Sequence, residues 1–250
     1  MGALEGRKAI VAGGGRGIGR SIALAFAAEG ADVAVVGRTG ESLSAVADEI
    51  RAAGRRAVAA PQDLTQVSEI PPLVDRLADE LGGLDILVNS AGVQITGPSV
   101  EVTEEQWDET LDANLKSMFF SCQAAGRRFI DQGRGKIINL ASTFSFVGFP
   151  EFAAYCSSKG GVALLTKTLA AEWASSGVNV NAIAPTAVRT EMNAYLLDDP
   201  DFLDFFLPKV PAGRVGDPSD VAGAAVFLAG AGSDFVHGHL LLVDGGYTAV

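Results

Sequence analysis

The stretch Ala9-Ile10-Val11-Ala12-Gly13-Gly14-Gly15-Arg16-Gly17-Ile18-Gly19-Arg20 decides the fold. An apolar run of strand type meets a glycine turn, and the helix-type segment Ser21-Ile22-Ala23-Leu24-Ala25 follows at once. Glycine is needed where the backbone must approach a ligand or take a positive φ. Strand, glycine turn and helix start together aim backbone N–H groups and the positive end of a helix dipole at one point, where a pyrophosphate can sit. The spacing is Gly13-x-x-x-Gly17-x-Gly19, with Ile18 where the last glycine of G-x-G-x-x-G would fall, and no G-K-[ST] ending follows. Gly13, Arg16, Gly17, Ile18 and Gly19 are therefore candidate cofactor contacts.

Working outward, short Val/Ile/Leu-rich runs recur at 9–12, 33–36, 57–60, 86–88, 137–140, 178–183 and 240–243. Between them lie helix-like segments near 17–29, 41–53, 67–81, 103–131, 152–175 and 218–229. Strands buried on both faces read as near-continuous apolar runs, so the alternation predicts an α/β fold: a doubly wound, parallel, seven-stranded sheet with helices on both faces. No internal repeat or low-complexity linker divides residues 1–250, which are read as one domain. One segment breaks the alternation. Residues 186–213 form a long connection carrying Tyr195, Leu196, Leu197, Phe202, Leu203, Phe205, Phe206 and Leu207. Long insertions in compact domains are often lids; a helical pair packed on the core or on a neighbouring subunit is the other reading.

Composition removes several classes. Thirty acids against nineteen bases leave a net charge of −11, which disfavours nucleic acid as a partner, since that affinity comes from neutralising phosphates. The chain is 48% hydrophobic, enough for a sizeable core. Yet no charge-free stretch supplies the ~18 apolar residues of a membrane span. Met1 to Lys8 lack the basic head and apolar run of a signal peptide, so a cytoplasmic location is expected. Only Cys122 and Cys156 are present, without a CxxC, which disfavours a disulfide scaffold or structural zinc. His237 and His239, two apart with no neighbouring acids, do not read as a metal site.

The second strand discriminates between nucleotides. NAD sites place an acid about 20 residues past the glycines to hold the ribose 2′-OH. Here the strand ends in Gly37-Arg38-Thr39. Arg38, with Arg16, is suited to a 2′-phosphate through charge-assisted hydrogen bonds, so NADP(H) is expected over NAD(H), which remains possible.

Downstream, Tyr155-Cys156-Ser157-Ser158-Lys159 lies in a helix-like segment, and residues four apart share a helical face. An ammonium beside a phenol favours the phenolate, so a lowered Tyr155 pKa is expected, suiting it to proton transfer. Thirteen residues earlier, Ser142 follows the run Ile137-Ile138-Asn139-Leu140, at the carboxyl edge where ligands of doubly wound sheets bind. A hydroxyl there can hold a carbonyl oxygen while a hydride adds to its carbon.

With Gly13-x-x-x-Gly17-x-Gly19, Asp63-Leu64, Asn89-Ser90-Ala91-Gly92, Asn114 in Ala113-Asn114-Leu115-Lys116-Ser117, Ser142, Tyr155-x-x-x-Lys159 and Pro185 through Thr190, the chain resembles the short-chain dehydrogenase/reductase family over essentially its whole length. Ala12, Ser90 and Thr186 depart from the family's usual wording. The resemblance implies a Rossmann-like seven-stranded sheet, a nicotinamide cofactor and a homotetramer. It implies Tyr155 as acid/base, Ser142 orienting the substrate oxygen, Lys159 holding the nicotinamide ribose and tuning Tyr155, and Asn114 anchoring a water in the proton relay. It also implies Asp63 and Leu64 beside the adenine, Asn89, Ala91 and Gly92 on the adenosine side, and Val188 and Thr190 at the nicotinamide end.

Within the family, the C-terminal half resembles sugar-acid dehydrogenases of the gluconate 5-dehydrogenase type. The expected reaction is NADP(H)-dependent interconversion of a secondary alcohol and a ketone on a small molecule. A 3-oxoacyl-[acyl-carrier-protein] reductase is the runner-up. It needs a basic docking patch, for which Arg127, Arg128 and Arg134 are the candidates. A non-catalytic NADP(H) sensor is the alternative of another class. Arg189, Lys209 and Arg214 flank the 186–213 segment as either carboxylate ligands or solvated charges.

Overall fold

In the computed structural model, which describes residues 2–250, seven parallel strands form one sheet in the order β3-β2-β1-β4-β5-β6-β7. They are β1 (Lys8–Ala12), β2 (Asp32–Gly37), β3 (Ala57–Pro61), β4 (Ile86–Asn89), β5 (Gly135–Leu140), β6 (Val178–Pro185) and β7 (Leu240–Val243). The expected seven-stranded, doubly wound sheet is present. The order runs outward in both directions from β1 and β4, so the connections leave in opposite directions there and a crevice opens beyond the strands' carboxyl ends.

Strand side chains alternate between faces, so each strand serves two cores. Ile10 and Ala34 join Leu77, Phe129 and Leu169 on one face. Val11, Val33, Val35 and Val88 join Ile22, Phe26, Ile50 and Val221 on the other. The first face carries α3 (Ile70–Leu81), α5 (Ser117–Gln132) and α6 (Ala153–Trp173). The second carries α1 (Gly17–Ala28), α2 (Gly40–Ala52) and α9 (Pro218–Ala229). All eight residues of β6 are buried, as a strand covered on both sides requires.

The 103–131 segment is not one helix. α4 (Glu104–Leu111), started by a Thr103/Gln106 capping box, passes through a π-turn at Asp112–Lys116 before α5 begins. Such turns insert a residue and re-aim the neighbouring side chains, often at functional sites. The 186–213 segment contains two short helices, α7 (Ala194–Leu197) and α8 (Pro200–Phe206), and a 3-10 turn at Leu207–Lys209. Its base is closed by a bridge from Val188 to Gly216, and Ala212 N–H donates to the Gly245 carbonyl at 2.9 Å. No helix among the described residues is long and apolar enough to cross a membrane.

Candidate active site

The β1–α1 turn needs its glycines for specific steric reasons. Gly13 has φ +79°, and a Cβ there would lie 2.6 Å from the Ala91 nitrogen of the turn after β4. A Cβ on Gly19 would run into the Gly13 carbonyl. The N-cap of α1 is Arg16, extended and offering no side-chain cap, so the helix's first N–H groups face the crevice without an intrahelical partner. A cavity of about 260 Å³ opens from this turn. Of the residues expected at a cofactor, Gly13, Arg16, Gly17, Ile18, Gly19, Arg38, Asp63, Leu64, Ala91, Gly92, Tyr155, Lys159 and Thr190 line it.

Exposed Arg38 stands at the tip of β2 and makes no ion pair among the described residues. Asp63 accepts from the Thr65 N–H (3.0 Å) and hydroxyl (2.8 Å). These bonds, with Arg38 nearby, hold its carboxyl below the usual range. Arg16 reaches Glu191 at 3.5 Å, an exposed pair of little energetic weight.

Two expected contacts do not line it. Asn89 lines neither cavity. Its amide nitrogen donates inward, to Asn139 Oδ1 at 2.9 Å and Cys122 Sγ at 3.2 Å, and Asn139 in turn donates to Thr166 at 3.0 Å. A strand's side chains alternate, and the Asn89 side chain takes the inward face, where it braces β4 against β5; a cofactor contact at position 89 would come from its main chain, next to Ser90 at the cavity. Val188 is 3% exposed and lines the neighbouring cavity, not this one.

Asn114, in the π-turn, lines the first cavity, but its amide is committed: Oδ1 accepts from Val93 N–H (2.7 Å), and Nδ2 donates to Val93 O (2.9 Å) and Ser158 Oγ (3.1 Å). Both of its N–H bonds are therefore used within the protein.

Ser142 follows β5 and caps a short turn, its Oγ accepting from Phe144 N–H at 3.1 Å. Ser145 donates to the Lys159 carbonyl at 2.7 Å and ties that turn to α6. Tyr155 and Lys159 share a face of α6, with Lys159 Nζ 5.6 Å from the phenol ring centroid. The expected acidification of Tyr155 is not found. Although one side of its ring is open to the cavities, burial pushes its hydroxyl up to about 12, against an opposing hydrogen bond with Ser142. Lys159 donates to the Leu140 carbonyl at 2.7 Å, and burial pulls its pKa down to about 8. Desolvation, not the neighbouring charge that residue spacing suggested, sets both shifts.

A second cavity of about 120 Å³ adjoins the first. Ser142 and Tyr155 line it together with Leu196, Leu197, Phe202 and Phe206 of the 186–213 segment. Sequence reasoning missed Phe144, Phe149 and Phe152 on its other side. The signal was four phenylalanines within residues 144–152, between Ser142 and Tyr155. The same loop holds Glu151 at φ +68°, an uncommon backbone state outside glycine. Among the described residues Tyr155 is the one titratable side chain lining both cavities, and the second has no other.

The cations around the 186–213 segment are engaged by neighbouring groups, and Lys209 Nζ also lies 6.0 Å from the ring centroid of Phe149, which lines the second cavity. Arg189 pairs with Asp198 at 2.7 Å, Arg214 grips Asp220 at 2.7 and 2.8 Å, and Lys209 Nζ lies 3.2 Å over the Phe205 ring. The candidate docking arginines sit at the far edge. Arg128 pairs with Asp75 (2.7 Å), Arg134 reaches Asp85 (3.5 Å), and both lie toward the start of β5, whose end leads to Ser142. Arg127 donates to Gln123 at 3.4 Å, and six residues of strand at ~3.3 Å each separate this edge from Ser142.

A glycine turn at the switch point of a parallel sheet, opening into a groove that ends at serine, tyrosine and lysine, defines a dinucleotide-dependent oxidoreductase. The family model described as Enoyl-(Acyl carrier protein) reductase matches residues 12–248. The chain is 42% identical to 2-dehydro-3-deoxy-D-gluconate 5-dehydrogenase of Escherichia coli (strain K12), over 98% of this chain and 97% of the relative. It is 39% identical to gluconate 5-dehydrogenase of Gluconobacter oxydans (strain 621H), over 98% and 96%. The crystal structure of a gluconate 5-dehydrogenase from Burkholderia cenocepacia J2315, in complex with NADP and tartrate, superposes with a TM-score of 0.95 at 39% identity, over 99% of this chain and 97% of that one. The chain belongs to the short-chain dehydrogenase/reductase family.

Proposed function

We propose that the protein is an NADP(H)-dependent oxidoreductase that interconverts a secondary alcohol and a ketone, with a sugar acid as the substrate its relatives' names favour. The observation that carries the reading is the position of Tyr155, the single titratable group where the two cavities meet. The residues present fit the cofactor: the uncapped start of α1 offers N–H donors for a pyrophosphate, and the free Arg38 offers a fork for a 2′-phosphate. The hydride for a carbonyl carbon would come from a reduced nicotinamide held in the first cavity by the start of α1 and Arg38.

The chain's own residues handle the oxygen. The Ser142 hydroxyl orients it, and Tyr155 gives it a proton. A phenol held near 12 is fully protonated at neutral pH, which suits the reducing direction. Lys159, at the groove's inner end, holds the ribose hydroxyls and places positive charge beside the phenol as its proton leaves. Asn114 fixes the turn after β4 through Val93, so a water in the relay rests on main-chain groups near it rather than on its amide.

In this reading residues 1–250 work as one domain, and the 186–213 segment closes the substrate side. The protein acts in the cytoplasm, consistent with two free cysteines. It assembles as a homotetramer, for which exposed Trp107 on α4 and Leu164 on α6 offer apolar surface. Small molecules, not nucleic acid or membrane, are its partners.

The test is NADPH oxidation with 5-keto-D-gluconate and simple ketones, with NADH in parallel, in wild type and Tyr155→Phe. The variant is expected to lose ~10²–10⁴-fold in kcat/KM while NADPH still binds. Undiminished turnover would refute the assignment, and tight NADPH binding without turnover of any carbonyl would leave the sensor reading.

A further inference from the structure

No Lys, Arg or His lines the second cavity. A carboxylate moved from water into such a place loses solvation and gains no partner charge, and a net charge of −11 adds long-range repulsion. A sugar-acid substrate therefore needs a cation at the rim. Three cations flank the 186–213 segment, and two of them are held: Arg189 by Asp198 and Arg214 by Asp220, each at 2.7 Å. Lys209 differs. It is half-buried in the 3-10 turn after α8, and among the described residues its ammonium has no carboxylate partner and donates no hydrogen bond.

Its Nζ lies 3.2 Å from the ring centroid of Phe205 and 6.0 Å from that of Phe149. The two rings meet edge to face with centroids 6.2 Å apart. Phe149 lines the cavity, while Phe205 is 52% exposed and lies outside it. Lys209 thus stands where the 186–213 segment meets the loop before α6, beside a ring that walls the cavity. A cation over an exposed ring gains less than one that donates a charge-assisted hydrogen bond to a carboxylate. Its flexible four-carbon stem lets the ammonium exchange the first partner for the second.

We propose that Lys209 is the residue that selects acidic substrates: its ammonium leaves the Phe205 face and pairs with the substrate carboxylate at the rim, while the ketone lies at Ser142 and Tyr155. This rests on the proposed oxidoreductase function. The placement suits a chain that carries its ketone and its carboxylate near opposite ends, as 5-keto-D-gluconate does. Lys209 takes no part in the transfer of hydride or proton. Its pairing is the same before and during the chemical step, so its contribution falls on KM and not on kcat.

The experiment compares NADPH-dependent reduction of 5-keto-D-gluconate and of L-sorbose, the same carbon chain with a hydroxymethyl group in place of the carboxylate, in wild type, Lys209→Met and Lys209→Arg. Lys209→Met is expected to raise KM for the keto-acid ~10–100-fold, the weight of a hydrogen bond to a charged group, with little change in kcat. Its kcat/KM for L-sorbose and its Kd for NADPH are expected to match wild type, which shows that fold and site are intact. Lys209→Arg keeps the charge and is expected to recover most of the loss. Added salt is expected to raise the keto-acid KM of wild type but not that of Lys209→Met. An unchanged keto-acid KM in Lys209→Met, an equal loss with L-sorbose, or the same salt response in both proteins overturns the inference. Reduction of L-sorbose but not of the keto-acid by wild type overturns it and leaves the oxidoreductase reading intact. Reduction of neither overturns it as well, and the simple ketones tested beside Tyr155→Phe then decide the oxidoreductase reading separately.

Discussion

Lys159 is expected to destabilise the fold at neutral pH, and the size of the effect follows from its burial. The residue is 5% exposed, and its pKa falls from 10.5 to about 8. A depressed lysine pKa means that the folded state binds the proton less well than the unfolded one. The penalty is therefore full below pH 8 and is relieved as the pH rises toward 10.5. At 1.36 kcal/mol per pH unit the full penalty is about 3 kcal/mol. At pH 9.5 the unfolded lysine is still mostly charged while the folded one is neutral, and about 2 kcal/mol of the penalty is gone.

Lys159→Met removes this titration while keeping the volume. It also leaves the Leu140 carbonyl without its 2.7 Å donor, a cost of ~1–3 kcal/mol that does not depend on pH. Tyr155 titrates in both proteins and cancels. The stability of Lys159→Met relative to wild type is therefore expected to fall by about 2 kcal/mol between pH 7 and pH 9.5. Urea unfolding of both proteins at the two pH values, at one protein concentration, measures it. Turnover is expected to be lost at either pH. A stability difference that does not move with pH would refute the claim that burial sets the lysine's pKa. If the difference moves as expected, the residue costs the fold stability at neutral pH while serving the proposed reaction.

Arg38→Ala is expected to raise the Kd for NADPH by ~10–150-fold, the range of a charged hydrogen bond or two, and to leave NADH unchanged; fluorescence titration with both nucleotides checks it. An equal loss for both would mean that Arg38 does not read the 2′-phosphate. Asn89→Ala is expected to cost ~0.5–1.5 kcal/mol by leaving Asn139 Oδ1 with only the weaker Cys122 thiol donor at 3.5 Å, seen as a lower Tm, while NADPH affinity changes little. A selective loss of NADPH affinity with unchanged Tm would mean that the Asn89 side chain itself, and not its main chain, serves the cofactor.

The alternation of apolar runs and amphipathic segments was enough to specify a parallel sheet covered on both faces, because burying each strand on two sides leaves no other pattern. The glycine turn was equally legible: Gly13 and Gly19 sit where any Cβ would meet a neighbouring backbone, a constraint written into residue identity. Ser142, Tyr155 and Lys159 could be read from spacing, since strand end and helix turn put them at one edge. Their electrostatics could not. Spacing shows an amine near a phenol, but only the packing shows that both are desolvated and that the amine is aimed at the Leu140 carbonyl. The inward aim of the Asn89 side chain could not be read for a related reason: the strand was legible, but which side of the sheet position 89 faces depends on its neighbours β1 and β5. The phenylalanine walls are tertiary altogether. Phe144, Phe149 and Phe152 meet Phe202 and Phe206 across some fifty residues of chain, and a cavity exists only once both segments have folded over the same edge.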